Sequence, residues 1–140
     1  MTLNLSSTIK NYYEISLSHS IIVVDDELEL ASLFKAFLKN EGYDVVSFTD
    51  PVLALEYYKE TEDKHSLIIT DLRMPGICGI DLAKSIREFD NKVKIFLMTA
   101  FDAKDLEDRE DSKNAKINRL IQKPVRFSEL REMINDAWKN

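Results

Sequence analysis

The sequence predicts an α/β fold: a parallel sheet of five strands with helices on both faces. Short apolar runs alternate five times with longer segments of helical period, a pattern typical of strand–helix units that build a parallel sheet. The first run, IIVV at residues 21–24, is apolar at every position, as expected for a strand covered on both faces. The chain has 140 residues, a length that suits one domain.

The first unit pairs the strand at 21–24 with a helix over residues 27–40. Gly42 follows the helix, at a position where a helix C-terminus favours a left-handed residue. Apolar residues recur through this helix at helical spacing: Leu30, Leu33, Phe34, Phe37 and Leu38.

The second unit begins with a strand at 44–48. Asp50 and Pro51 then form a helix start, with the aspartate as N-cap and the proline at the first helical position. We expect Val52, Leu55 and Tyr58 to line the inner face of this helix.

The remaining units are a strand at 66–70 with a helix from about residue 80, a strand at 94–99, and a strand at 117–122 with a helix over 128–139. The charged stretch after residue 100 predicts only a short helix, and the less apolar fifth strand suits a sheet edge. For five such units the flavodoxin-like strand order 2-1-3-4-5 is the common arrangement, and we expect it here.

Composition excludes several classes of function. The formal net charge is −6 and the basic residues are scattered, which argues against binding to nucleic acid or to an anionic membrane surface. The longest apolar runs have four or five residues, far below the roughly 20 needed to span a bilayer. Without a secretory signal pattern, and with Cys78 as the single cysteine, we expect a cytoplasmic protein.

Polar residues follow the predicted strands. Asp25 and Asp26 come after the first strand, Asp71 after the third, Thr99 at the end of the fourth and Lys123 after the fifth. In a parallel sheet all of these positions lie at the ligand-binding edge.

Carboxylates brought together at that edge repel each other, by roughly 4 kcal/mol for two charges ~4 Å apart at an effective dielectric near 20. A Mg²⁺ ion or the ammonium group of Lys123 would offset this repulsion. Taken singly, Asp26 also fits a plain helix N-cap.

At these residues the sequence resembles the receiver domain of two-component response regulators, of the stand-alone type known from chemotaxis. The resemblance covers residues 20 to about 139. It rests on the segments IIVVDDE, LIITDLRMPGICG, FLMTA and IQKPV, which occur in the family's order and at about its spacing. It implies a receiver domain over residues 20–140 without its own output domain, preceded by an extension over 1–19 that we expect to be flexible.

The resemblance also implies roles for single residues. Asp71 would accept a phosphoryl group from a histidine kinase or phosphotransfer protein, with Lys123 pairing with that group. Asp25, Asp26, Asp71 and the main-chain carbonyl of Arg73 would bind Mg²⁺. The Lys123–Pro124 bond is expected to be cis.

The expected switch departs from the family pattern. Thr99 would move toward the phosphoryl group, but Leu120 stands where the family usually has an aromatic residue. Arg73 and Phe101 are bulky at positions that control water access in this family, so we expect slow loss of phosphate.

The resemblance implies that the protein acts on an unidentified downstream protein, as a signalling module rather than an enzyme.

Four alternatives remain at this point. The chain could serve as a phosphate sink or as an intermediate in a phosphorelay. A Mg²⁺-dependent phosphohydrolase of the haloacid-dehalogenase type would need a second aspartate where Arg73 stands. A flavodoxin-like FMN carrier would need a phosphate-binding loop where the sequence has DDELEL.

Overall fold

The computed structural model describes residues 19–102, 104, 106 and 109–139, and it confirms the predicted α/β fold. The strands are β1 (Ser20–Val24), β2 (Asp44–Phe48), β3 (Leu67–Asp71), β4 (Lys94–Thr99) and β5 (Arg119–Gln122). The described helices are α1 (Leu28–Asn40), α2 (Pro51–Glu60), α3 (Gly79–Arg87), α4 (Glu110–Asn114) and α5 (Phe127–Trp138).

The strands form one parallel sheet in the predicted order β2-β1-β3-β4-β5. β1 and β3 are neighbours, with Val24 in register with Thr70. The residues that follow these two positions, Asp25 and Asp71, therefore lie side by side at the carboxyl edge of the sheet. β5 lies at an edge of the sheet, as its sequence predicts.

Each face of the sheet carries its own hydrophobic core. On one face, Phe34 of α1 and Ile134 of α5 pack against β-sheet residues such as Val23 and Phe96. On the other face, Tyr58 of α2 and Ile86 of α3 belong to a second cluster. Alternate residues of the central strands enter the two clusters, which explains why these strands are apolar on both faces through most of their length.

The predicted helix ends are confirmed. The Asp50 side chain caps α2 by accepting a hydrogen bond from the Val52 N–H at 2.9 Å. Gly42 follows α1 with a φ of 98°, a left-handed conformation that costs glycine little. The short helix expected in the charged stretch is α4.

Two residues predicted for apolar helix faces are exposed. Leu33, which shares the helical spacing of the apolar residues of α1, is 51% exposed, and Val52 is 45% exposed, so the predicted inner position of Val52 is wrong. The buried positions of α2 are Pro51, Ala54 and Tyr58, and Leu55 packs partly buried against the core, so the predicted inner positions of Leu55 and Tyr58 are confirmed. Small Ala54 lets the helix approach the sheet closely.

The prediction of a flexible extension over 1–19 falls outside the described residues except at His19. Among the residues that the structure describes, no helix is both long enough and apolar enough to cross a membrane.

Candidate functional site

Three carboxylates meet at the carboxyl edge of the sheet. Oxygen atoms of Asp25, Asp26 and Asp71 all lie within 4.8 Å of one another. Asp25 and Asp71 are buried and Asp26 is exposed, so the cluster opens to solvent on one side. The geometry thus brings together the three acidic residues that the sequence predicted.

Asp25 is the most enclosed member of this cluster, with no exposed surface. Its Oδ1 accepts a hydrogen bond from the Glu27 N–H at 2.9 Å, while its buried Oδ2 accepts none. Burial raises the pKa of the Asp25 carboxyl; the Glu27 N–H and the Lys123 ammonium oppose this rise. A buried carboxylate oxygen without a donor, inside a cluster of acidic oxygens, fits a hard divalent cation such as Mg²⁺.

Asp26 is not a helix cap, so that alternative is wrong. α1 begins at Leu28 with Glu27 as its N-cap residue, and no side chain caps it. The Asp26 carboxylate is therefore left for the acidic cluster.

Lys123 supplies the positive charge beside the carboxylates. Its Nζ lies 3.1 Å from Asp71 Oδ1 and 3.8 Å from Asp25 Oδ2. The Lys123 N–H donates to the Thr99 carbonyl at 2.7 Å, which fixes the start of this loop against the end of β4. The peptide bond between Lys123 and Pro124 is cis, as predicted.

Asp71 is the last residue of β3, one position beyond the predicted strand. Its Oδ1 also accepts a hydrogen bond from the Leu72 N–H at 3.0 Å. The side chain is 11% exposed, so it is held in place but can be reached from solvent.

Gly79 is a site residue that the sequence did not reveal. A Cβ atom placed there would lie 2.3 Å from the carbonyl oxygen of Asp71 and 2.6 Å from Leu97 Cδ1. The Gly79 N–H donates to the Leu72 carbonyl at 2.8 Å. Only glycine therefore allows the start of α3 to pack directly on the end of β3. The sequence signal that could have identified this residue is a glycine at the start of the predicted helix that follows the third strand.

The two predicted switch residues lie on neighbouring strands. Thr99 is buried, and its hydroxyl oxygen accepts a hydrogen bond from the Phe101 N–H at 2.9 Å. Leu120 is partly buried against the core and pairs in register with Leu97. Their switch role stays a prediction.

Arg73 and Phe101 form a contact that the sequence did not predict. The Arg73 guanidinium lies over the Phe101 ring, with its Cζ 4.1 Å from the ring centroid. Such a cation–π contact contributes about 0.5–1 kcal/mol at an exposed site. The pair joins the loop after Asp71 to the loop after Thr99. The Arg73 carbonyl as a metal ligand stays a prediction.

The remaining reactive side chains lie outside this group. Cys78 is the N-cap residue of α3, and its thiol donates to Asp81 at 3.3 Å. At the opposite edge of the sheet, His19 Nδ1 lies 3.0 Å from the Ser66 hydroxyl and His65 Nδ1 lies 2.9 Å from the Ser20 hydroxyl. As expected, neither histidine belongs to the acidic cluster.

Comparison with known proteins identifies the family of this chain. The response regulator receiver domain family matches residues 21–135. The chain is 31% identical to the phosphoglycerate transport system transcriptional regulatory protein PgtA of Salmonella typhimurium, over 86% of this chain and 28% of that protein. It is 25% identical to sporulation initiation phosphotransferase F of Bacillus subtilis, over 84% of this chain and 92% of that protein. The chain thus spans about a quarter of the first relative and most of the second.

Solved structures are also similar. The response regulator TrrA of Thermotoga maritima, in complex with Mg(2+)-BeF, has a TM-score of 0.75 and 30% identity, covering 85% of this chain and 98% of that one. The CheX–CheY–BeF3–Mg complex of Borrelia burgdorferi contains a chain with a TM-score of 0.80 and 20% identity, covering 90% of this chain and 93% of that one. The second likeness concerns the fold alone. The chain belongs to the response regulator receiver domain family and is a receiver domain of two-component signalling.

Proposed function

We propose that Asp71 is the phosphoacceptor of this receiver domain. The donor is the phosphohistidine of a sensor histidine kinase or of a phosphotransfer protein. The observation that carries the proposal is the placement of the Lys123 ammonium 3.1 Å from Asp71, beside the orphaned carboxylate oxygen of Asp25. An acidic cluster with one lysine suits a phosphoryl group that arrives with a divalent cation.

In the proposed reaction an Asp71 carboxylate oxygen attacks the phosphorus atom of the phosphohistidine. A new oxygen–phosphorus bond forms as the nitrogen–phosphorus bond breaks, and the electron pair of the broken bond returns to the histidine nitrogen. The product is an acyl phosphate on Asp71, a covalent adduct of the kind that carboxylate nucleophiles form. Lys123 offsets negative charge on the phosphoryl oxygens, and the Thr99 hydroxyl can donate to one of them.

Asp25, Asp26, Asp71 and the main-chain carbonyl of Arg73 are the proposed ligands of Mg²⁺. A bound Mg²⁺ would neutralise charge that builds up between the carboxylate and the phosphoryl group. The support for this assignment is the shared oxygen chemistry of the acidic cluster and the buried Asp25 oxygen that lacks a donor.

The proposed output is a change in protein contacts. Thr99 would leave its hydrogen bond with the Phe101 N–H to reach the phosphoryl group, and Leu120 would follow this movement. Phosphorylation then favours one of two arrangements of the surface near β5. The partner on that surface is a downstream protein.

Slow hydrolysis of the acyl phosphate is part of the proposal. Arg73 and Phe101 contact each other between the loops that follow Asp71 and Thr99, where they restrict the approach of water. Arg73 also stands where a phosphohydrolase would need an acidic catalyst, so many turnovers are not expected. Since sensor kinases phosphorylate their histidine with ATP, the proposed location is the cytoplasm.

The test is incubation with acetyl phosphate, with and without Mg²⁺, followed by intact-mass measurement. We expect one added phosphate in the wild type with Mg²⁺ and none without it. Asp71→Asn should give no adduct, whereas Asp136→Asn, a change at an exposed position of α5, should behave as wild type. Steady release of phosphate without an adduct would contradict the proposal and favour a hydrolase.

A further inference from the structure

Arg87, the last residue of α3, makes an unusual set of hydrogen bonds. Its guanidinium donates to the carbonyl oxygens of Asp90 at 3.2 Å and Val93 at 2.8 Å, both in the segment between α3 and β4. It also donates to the carbonyl oxygens of Ala115 at 3.2 Å and Lys116 at 2.9 Å. A fifth bond goes to Asn118 Oδ1 at 3.1 Å. All five acceptors are uncharged oxygens, matching the five N–H groups of a guanidinium.

The Ala115 and Lys116 carbonyls belong to the C-terminal end of α4, where Ala115 is the C-cap residue. The last carbonyls of a helix lack partners within the helix, and a cation placed there is favourable. Arg87 therefore satisfies the end of α4 from a different helix. Ala115 itself is fully buried, so this end is held by packing as well as by hydrogen bonds.

Asn118 extends the link to the sheet. Its side-chain oxygen accepts from Arg87 and also from the Ile95 N–H at 2.7 Å. The Asn118 N–H donates to the Ile95 carbonyl at 2.9 Å. The turn between α4 and β5 is thereby joined to the end of α3 and to the start of β4.

The N-terminal end of α4 is held differently. Its N-cap residue, Arg109, makes no side-chain cap hydrogen bond. Arg109 does pair with Asp111 at 2.9 Å, but both side chains are about half exposed, and exposed ion pairs contribute little. Among the described residues, only the C-terminal end of α4 receives side-chain hydrogen bonds from another helix.

We propose that Arg87 is a positioning residue that fixes the turn Ala115–Asn118, so that α4 pivots about its C-terminal end when Asp71 is phosphorylated. The pivot rests on the proposed function, since it requires phosphorylation. The fixed turn does not, because the five hydrogen bonds are present in the unmodified protein. Phosphorylation should therefore alter the environment of Glu110–Ser112 and leave that of Lys116 and Asn118 unchanged.

The first arm of the test is amide hydrogen exchange measured by NMR in the unmodified protein. In Arg87→Lys, which keeps the charge but loses the fork of donors, the amides of Lys116 and Asn118 should exchange about tenfold faster relative to those of Ile22 and Val23 in β1. The β1 amides report global unfolding and so correct for any general loss of stability. Arg119→Lys, a change at an exposed position of β5, should leave the ratio unchanged.

The second arm adds beryllium fluoride and Mg²⁺, a mimic of the phosphorylated state, to the wild type. The amide signals of Glu110–Ser112 should shift while those of Lys116 and Asn118 stay in place. Equal shifts in both groups, or an unchanged exchange ratio in Arg87→Lys, would overturn the proposal. No response around Asp71 would overturn the proposed function and the pivot with it, while the exchange arm would still decide whether Arg87 fixes the turn.

Discussion

Replacing Gly79 with alanine should destabilise the protein, although alanine is normally the better helix residue. At an exposed helical position this change gains about 1 kcal/mol. Here the new Cβ would lie 2.3 Å from the Asp71 carbonyl oxygen and 2.6 Å from Leu97 Cδ1, roughly 1 Å short of ordinary contact distances. The oxygen belongs to the backbone of a central strand, so it cannot move without disturbing β3.

Overpacking of this kind costs about 1–3 kcal/mol and occasionally more. Because one of the two close contacts is with a backbone atom, we take the upper end of this range; after the helical gain of about 1 kcal/mol is subtracted, Gly79→Ala should lower the free energy of unfolding by about 2 kcal/mol. With a slope of about 2 kcal/mol per molar, the urea midpoint would fall by roughly 1 M. The same displacement reaches the Asp71 carboxylate, and a shift of about 1 Å at a reacting group can slow a reaction on the order of 100-fold. Phosphorylation by acetyl phosphate should therefore slow as well.

Two controls separate the possible causes. Lys84→Ala, at an exposed position of α3, should change stability by less than about 0.5 kcal/mol. If the clash with the flexible Leu97 side chain were the sole cause, adding Gly79→Ala to a Leu97→Ala protein would not lower the free energy of unfolding any further. We expect the cost to persist in that background because the Asp71 carbonyl remains. A Gly79→Ala protein as stable as the wild type would refute the reasoning.

Three further outcomes follow from the structure. Arg73→Ala or Phe101→Ala should shorten the half-life of the acyl phosphate, measured by intact mass after removal of the donor; an unchanged half-life in both would show that their contact does not shield it. Tyr58→Phe should lower the free energy of unfolding by about 1.5–3 kcal/mol, because the buried Tyr58 hydroxyl donates a hydrogen bond to the Asp90 carboxylate. Partial burial raises the pKa of Asp90, and this hydrogen bond is one of the contacts that lower it below its usual value. A urea midpoint equal to that of the wild type would contradict the prediction. Burial lowers the pKa of His65, so the unfolded state takes up protons first and stability should fall as the pH drops below about 6.5. His65→Gln should show a smaller fall between pH 7.5 and 5.5, and an equal fall would exclude His65 as a source.

The fold and the acidic cluster could be predicted because they follow from local patterns. Apolar β-branched runs define central strands, and the geometry of a parallel sheet then places Asp25 beside Asp71. The inner face of α2 could not be predicted so well, since Val52 and Ala54 both fit a helical period and packing against the sheet decided between them.

The role of Arg87 could not be predicted from the sequence at all. Its acceptors are four backbone carbonyls and one side-chain amide oxygen. Every residue has a backbone carbonyl, so the sequence does not indicate which ones Arg87 contacts. The contact between Arg73 and Phe101 was hidden for a related reason. Each residue follows a different strand, and only the assembled sheet brings the two loops together.

The stacking of Trp138 on His19 gives this protein an optical probe of its own. The rings are 3.8 Å apart and nearly parallel, and Trp138 is the single tryptophan of the chain. A protonated imidazole in contact with an indole quenches its fluorescence, so emission intensity should fall with the titration of His19. The pair lies at the edge of the sheet opposite Asp71. Emission should therefore follow pH and unfolding while remaining insensitive to phosphorylation, which allows the two processes to be recorded independently in one sample.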